Sequence, residues 1–265
     1  IHDGQIEDHA GIEVEIVEEW LKRGIDVNAF NESGSALLHF VAFKDCLNLI
    51  TSLVVGHGAD VNILDRKDCT PVYAATRENR VQAVKLLVAY GADVNIPDNE
   101  GRTPLSFSSL LGYVDIVKFL VEHGAEVNLK NFKVECPIDA AIRGNHMDVI
   151  MLLLKHGAYV NNRNKNSYTP VCQASSLGDM IMTKLFVEHD ADVNIPNQWG
   201  QTPVYLDLFS VACLNKENLI PLMVKHGADI NIARYDGCTP LWASVKRGCV
   251  HTARELIEAG ADIMQ

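Results

Sequence analysis

One five-residue phrase, Gly-Ala-Asp-Val-Asn with small variations, returns along the whole chain and constrains its fold more than any other feature. It starts at Gly24, Gly58, Gly91, Gly124, Gly157, Asp190, Gly227 and Gly260, at intervals of 34, 33, 33, 33, 33, 37 and 33 residues. A chain of 265 residues exceeds the roughly 150 expected of one compact domain, and a period near 33 marks a structure built by stacking one small unit.

A second phrase follows each of the first seven starts by about a dozen residues: Thr70-Pro71-Val72, Thr103-Pro104-Leu105, Thr169-Pro170-Val171, Thr202-Pro203-Val204 and Thr239-Pro240-Leu241. Ala36-Leu37-Leu38-His39 and Cys136-Pro137-Ile138 hold the same register. A Thr hydroxyl caps a helix, and Pro fits the first turn because its missing N–H would have had no partner there. Apolar residues at helical spacing then mark a second helix, as in Ala83-Val84-Leu86-Leu87, Ile116-Val117-Phe119-Leu120 and Val149-Ile150-Leu152-Leu153. It ends at a Gly suited to the left-handed cap, and a hairpin-like loop leads to the next Thr. Neither short helix can bury its apolar side alone, so each unit must stack on its neighbours.

These two phrases resemble the ankyrin repeat family, whose hallmark is Gly-x-Thr-Pro-Leu-His, then Ala-Ala, then a Leu-rich helix closing on Gly-Ala-Asp-Val-Asn. The resemblance implies an all-α repeat solenoid, elongated and curved, of helix-turn-helix units joined by β-hairpin-like loops. It covers nearly the whole chain as a single repeat domain, residues 1–265. Its expected units are a truncated or capping repeat 1–31, internal repeats 32–64, 65–97, 98–130, 131–163, 164–196 and 197–233, and a final repeat 234–265.

The departures from this pattern are local. The family's His, which bridges adjacent loops, stands here only at His39; Tyr73, Ser106, Asp139, Cys172, Tyr205 and Trp242 take its place, which implies an array less stable than a consensus one. Asp190 replaces the capping Gly and is expected at positive φ, at a cost of about 1 kcal/mol. The longest interval holds four extra residues around Ala212-Cys213-Leu214-Asn215-Lys216, with Pro221 in the first turn of the helix that follows. They form an exposed loop, or they lengthen the first helix from Val204 to about Leu214 and push Phe209 into the binding surface. Residues 12–22 read as a helix with Val14, Ile16, Val17, Trp20 and Leu21 on its apolar side.

Chemistry-bearing residues do not assemble into a catalytic pattern. His57, His123, His156, His189 and His226 each precede the closing Gly or Asp190, where a helix C-terminus favours them, and they fall in separate units rather than converging on one metal ion. Seven Cys form an odd set without a CxxC pair, which fits a reducing compartment, cytoplasmic or nuclear. Cys136 and Cys172 read as structural thiols. No phosphate loop, nucleophile elbow or carboxylate pair appears, so no cofactor and no enzymatic activity are expected. Twenty-three Lys and Arg against 34 Asp and Glu give a net charge of -11, which opposes nucleic acid as a partner. No apolar run is long enough to insert this segment into a membrane.

In ankyrin proteins the loop tips and the ends of the first helix vary and carry recognition, so the resemblance implies a monomeric scaffold that binds a peptide or folded protein through a concave face. Here Phe132, Trp199 and Tyr235 occupy tip positions where polar turn residues would suffice, and Tyr168 lies beside its Thr-Pro. Leu110, Leu111, Arg143 and Phe209 lie near the ends of first helices, and Arg66, Lys133 and Lys165 sit at tips. Repeats four to seven are thus the expected binding centre. Lys130, Lys133, Arg143, Arg163 and Lys165 would draw an acidic or phosphorylated segment. The resemblance also implies Asn95, Asn128 and Asn161, each eight residues after a Leu, as candidates for asparaginyl hydroxylation. The same repeats would serve as the substrate-recognition region of a ubiquitin ligase, the ankyrin region of a channel, or a microbial effector.

Overall fold

The computed structural model describes residues 15–208 and 219–264. Phe209, the insertion around 212–216, the longer helix expected to reach Leu214, and the residues before 15 lie outside that description. Two compact units divide the chain, Ile1–Phe132 and Lys133–Gln265. Both are stacks of paired helices; no extended strand occurs among the described residues, where an isolated bridge joins Phe30 and Ala36.

In the first unit, residues 15–22 are helical. Three helix pairs follow: Leu37–Phe43 with Leu47–Thr51, Pro71–Arg77 with Val81–Ala89, and Pro104–Leu111 with Val114–Glu122. The caps are those the Thr-Pro phrase demands: the Thr70 hydroxyl accepts from the Tyr73 N–H at 3.2 Å and that of Thr103 from Ser106 at 3.1 Å. The bend between paired helices needs a left-handed residue, which Asp45, Asn79 and Gly112 supply at φ 62°, 56° and 74°. Short polar side chains and Gly are the residues that tolerate that region. Leu38, Ile50, Leu53, Leu87, Leu105, Ile116 and Leu120 fill the core, all fully buried.

The interval of 34 between Gly24 and Gly58 has a structural explanation. Its extra residue enters the second helix, which turns from α into a π-helix over Ser52–Gly56. The Ala59 N–H reaches back six residues to the Leu53 carbonyl, whereas Ala92 and Ala125 reach back five, to Leu87 and Leu120. Leu53 thereby keeps the core position of Leu87 and Leu120, and one wide turn absorbs the surplus residue.

The second unit repeats the plan in four pairs: Pro137–Gly144 with Met147–Lys155, Pro170–Leu177 with Met180–Glu188, Pro203–Asp207 with Ile220–Lys225, and Pro240–Lys246 with Val250–Glu258. Pro221 sits in the first turn of its helix, as its missing N–H requires. Asp190 takes φ 61° in place of the closing Gly. Where Cys136 cannot cap as Thr does, the Asp139 carboxylate accepts from the Cys136 N–H at 2.8 Å instead.

Candidate functional site

The loops close by their own polar chemistry and leave the tip side chains unneeded for that purpose. In several loops the first residue bends the chain through its side-chain oxygen: Asp65 accepts from the Lys67 and Cys69 N–H groups, Asn164 from Asn166 and Tyr168, and Asn197 from Trp199 and Gln201. Successive tips are then linked through backbone, with Asn99 donating to Lys67, Phe132 to Glu100 and Gln198 to Asn166. At the other end of the loop, the closing Asn braces neighbouring repeats. Asn62 accepts from the Asp93 N–H, Asn95 from Glu126, Asn161 from Asp192 and Asn194 from Asp229, all at 2.7–2.8 Å. Asn95 also donates to the Gly124 carbonyl. Asn95 and Asn161, both hydroxylation candidates, thus carry inter-repeat hydrogen bonds in the folded chain.

The missing family His is replaced by other bridges. His39 donates to the Cys69 carbonyl at 2.9 Å, as that position does in the family pattern. The Tyr73 hydroxyl instead donates to Asp98 at 2.8 Å, the Cys172 thiol to the Ile195 carbonyl at 3.4 Å, and Asp139 accepts from Gln173 of the following repeat. At Tyr73, Asp139 and Cys172 the substitution thus changed the chemistry of the bridge without removing it.

In the first unit, Phe132 is 76% exposed and lies across the preceding tip: a β-carbon at Gly101 would stand 2.8 Å from both the Phe132 backbone nitrogen and its ring. Only Gly, at φ 77°, serves there. Arg66 lies over Gly34 in the same manner. Leu111 is exposed and Leu110 half-buried at the end of their helix.

The second unit shows the same device. Tyr235, also 76% exposed, lies over Gly200. Trp199 meets half-buried Tyr168 edge to face, ring centroids 6.0 Å apart, and is itself 45% exposed. Such aromatic pairs contribute about 0.5–1.5 kcal/mol beyond their buried area. Lys133 and Lys165 are exposed. Arg143 is held by the Glu135 carboxylate at 2.8 and 3.2 Å, so its charge is compensated within the unit and adds little to a basic patch.

Two buried thiols are held in the protonated form. Burial, reinforced by Asp65 and Asp98, pushes the Cys69 thiol up to about 12, and burial raises that of Cys172. Both remain protonated at neutral pH and are poor nucleophiles. His123 and His189 donate to carbonyls of their own last turn, Phe119 and Leu185, each at 2.8 Å. His57 approaches Glu18 at 3.5 Å. No group of three metal-ligating side chains occurs among the described residues, and no helix there is long and apolar enough to cross a membrane.

Reading the first-helix ends only from the fourth repeat onward missed a cluster in the second and third. Phe43 and Arg77 hold the register of Leu110, seven residues after the cap, and Phe40 and Ala74 hold that of Phe107. The repeat period applied backwards from Leu110 was the signal that would have found them.

Comparison with known families agrees with this geometry. The family described as "Ankyrin repeats (3 copies)" matches residues 38–131, and "Ankyrin repeat" matches residues 135–165 and 236–265. No curated protein matches the chain. Between those spans the structure continues the same caps, with the Thr169 and Thr202 hydroxyls accepting from Cys172 and Tyr205. The recurring caps, the inter-repeat Asn braces and the family matches lead to one conclusion: this chain belongs to the ankyrin repeat family.

Proposed function

We propose that this chain is a non-enzymatic scaffold that binds a protein or peptide partner through the side chains at its hairpin tips and first-helix ends. The observation that carries the reading is the exposure of Phe132, Trp199 and Tyr235 at tip positions, with the Trp199 turn already closed by hydrogen bonds to the Asn197 side chain. Each ring rests one side on the preceding tip and turns the rest to solvent, so it is held in place before any partner arrives. Rigid aromatic anchors lose little conformational freedom on binding, and residues of this type dominate interface energies.

The test is affinity capture from lysate with mass spectrometry, comparing the native chain with a Phe132→Ala, Trp199→Ala, Tyr235→Ala variant whose circular dichroism and melting are matched to it. Partners lost with the variant support the reading. Partners retained in full would move recognition away from the tips.

A further inference from the structure

Each first helix of the first unit packs on its own second helix and on the first helix of the next repeat. Leu37–Phe43 meets Leu47–Thr51 and Pro71–Arg77 in this way, and Pro71–Arg77 meets Val81–Ala89 and Pro104–Leu111. Inside these pairs Leu53, Leu87 and Leu120 are fully buried, and Ala59, Ala92 and Ala125 are buried just after them. Trp20 and Ile25 hold the same two positions one repeat earlier, where the Ile25 N–H reaches back to the Trp20 carbonyl as that of Ala92 does to Leu87. Yet Trp20 is 50% exposed and Ile25 51%. Among the described residues, the helix over 15–22 is a second helix whose first helix is not there to cover it.

The place of that first helix is a groove of about 460 Å³ beside Leu37–Phe43, lined by Trp20, Leu21, Val27, Phe30 and Leu37 among others. Asp26 is the charged residue on its wall, and its carboxylate accepts from the Asn28 N–H. An apolar wall of this kind is stabilised by whatever takes it out of water.

The other repeats show what fits there. The buried side of a first helix carries a large apolar residue two places after the cap and smaller ones five and six places after it: Leu38, Val41 and Ala42, then Val72, Ala75 and Thr76, then Leu105, Ser108 and Ser109. That spacing is one face of a helix. One repeat before the Leu38 set, the sequence reads Gln5, Asp8 and His9. All three are polar, and burying them against apolar walls is unfavourable. In the register of the repeats, this chain's own sequence does not supply the face that the groove takes.

We infer that the groove takes an amphipathic helix from a partner protein, which completes the array in trans as a surrogate first helix. The helix presents one large apolar residue, with small ones three and four places later, to Trp20 and Leu37. Docking of an apolar helical face into a groove is a recurrent mode of recognition. The inference rests on the reading of the chain as a partner-binding scaffold, but its site is the stacking face between repeats rather than the tips or the concave face.

The experiment uses the whole chain carrying Trp199→Phe and Trp242→Phe, so that Trp20 reports alone. The probe is a synthetic peptide of this chain's residues 102–113, itself a first helix, stapled between positions 107 and 111 to hold it helical. In the free chain Trp20 should emit as a solvated indole and be readily quenched by acrylamide. The peptide should shift that emission to the blue and shield it, saturably. Leu105→Glu in the peptide, or Leu37→Glu in the chain, should weaken binding at least about tenfold, because each puts a charge into the apolar contact. Should Leu37→Glu lose helicity by circular dichroism, Phe30→Glu at an exposed position of the groove takes its place. A Trp20 already shielded in the free chain would show the groove covered by the chain's own residues and overturn the inference. A blue shift that grows with chain concentration alone would overturn it in favour of a second copy. No saturable shift, or binding unchanged by the Glu variants, would also overturn it. Binding lost on adding Phe132→Ala and Tyr235→Ala, and kept with the groove variants, would overturn it while supporting the tips.

Discussion

Two carboxylates, one in each unit, are buried to the same degree and driven in opposite directions. Asp98 is 3% exposed and Asp207 5%. Burial raises the Asp98 carboxyl, yet hydrogen bonds from Arg102, Tyr73 and the Glu100 backbone outweigh it and hold the group below its ordinary 3.8. Arg102 stands 2.7 Å from it and Tyr73 2.8 Å. At Asp207, burial, with the charge of Glu255 adding to it, pushes the carboxyl up to about 6 against a lowering bond from the Leu219 backbone. His251 lies 3.5 Å from Glu255 and partly offsets that charge. The difference teaches that burial alone does not set the sign. What decides it is whether the neighbours donate protons or repel charge.

The consequences for stability have opposite signs. Asp98 stabilises the first unit above its unfolded pKa, and that contribution disappears as pH falls through its lowered folded value. Asp207 costs the second unit stability at neutral pH, because its raised pKa is favourable only when it is protonated; the cost is relieved as pH falls from about 6 towards 3.8.

The most severe way to break the comparison is Asp98→Ala. It strands the Tyr73 hydroxyl and the N–H groups of Glu100 and Arg102, and takes from the Arg102 guanidinium its 2.7 Å partner, leaving Glu100 at 3.3 Å. We expect the first unit to lose about 3–5 kcal/mol, read as a drop in urea midpoint and as accelerated hydrogen exchange confined to residues near 70–110. Equal protection in the variant would show that the Tyr73–Asp98–Arg102 cluster contributes nothing.

Asp207→Asn sharpens the comparison from the other side. Raising the carboxyl from 3.8 to about 6 corresponds to at most about 3 kcal/mol at pH 7, so the variant should be more stable than the native chain at pH 7.5 and no better at pH 4. Urea unfolding at both pH values, followed by the fluorescence of Trp199 and Trp242 in a Trp20→Phe background, measures it. A gain that persists unchanged at pH 4 would mean that the carboxylate charge is not its source.

The smallest expected effect concerns the tip of the fifth repeat, where the register that holds Gly101 and Gly200 holds Val134 at φ 61°. A β-branched residue in the left-handed region is strained. Val134→Gly should therefore stabilise the second unit by about 1 kcal/mol, measurable as a raised urea midpoint. A lowered midpoint would mean that the exposed Val134 side chain has packing worth more than its strain.

Helix starts, loop turns and repeat order were legible because each depends on residues close in sequence: Thr-Pro for the cap, Asp or Asn for the turn, Gly or Asp190 for the close. The exposed tip aromatics were legible for the same reason, since a ring where a turn needs none stands out within one repeat. The one-residue surplus before Gly58 was visible as an interval, but nothing in the sequence said that a π-turn after Leu53 would take it up. That outcome depends on Leu53 having to reach the same core position as Leu87. The charge of Arg143 was equally visible, while its neutralisation by Glu135 needed the folded loop to bring the two together.

The sequence by itself determined that this protein is a stack of capped helix pairs, because a 33-residue period of local signals leaves each unit unable to bury its apolar side except against another. Only the tertiary structure decided how neighbouring repeats are bridged where His is absent, and which carboxylate is held ionised and which protonates near pH 6. These depend on residues from different repeats, such as Tyr73 and Asp98 or Asp207 and Glu255, meeting in the fold, where burial makes a donor or a like charge count for more than it would in water.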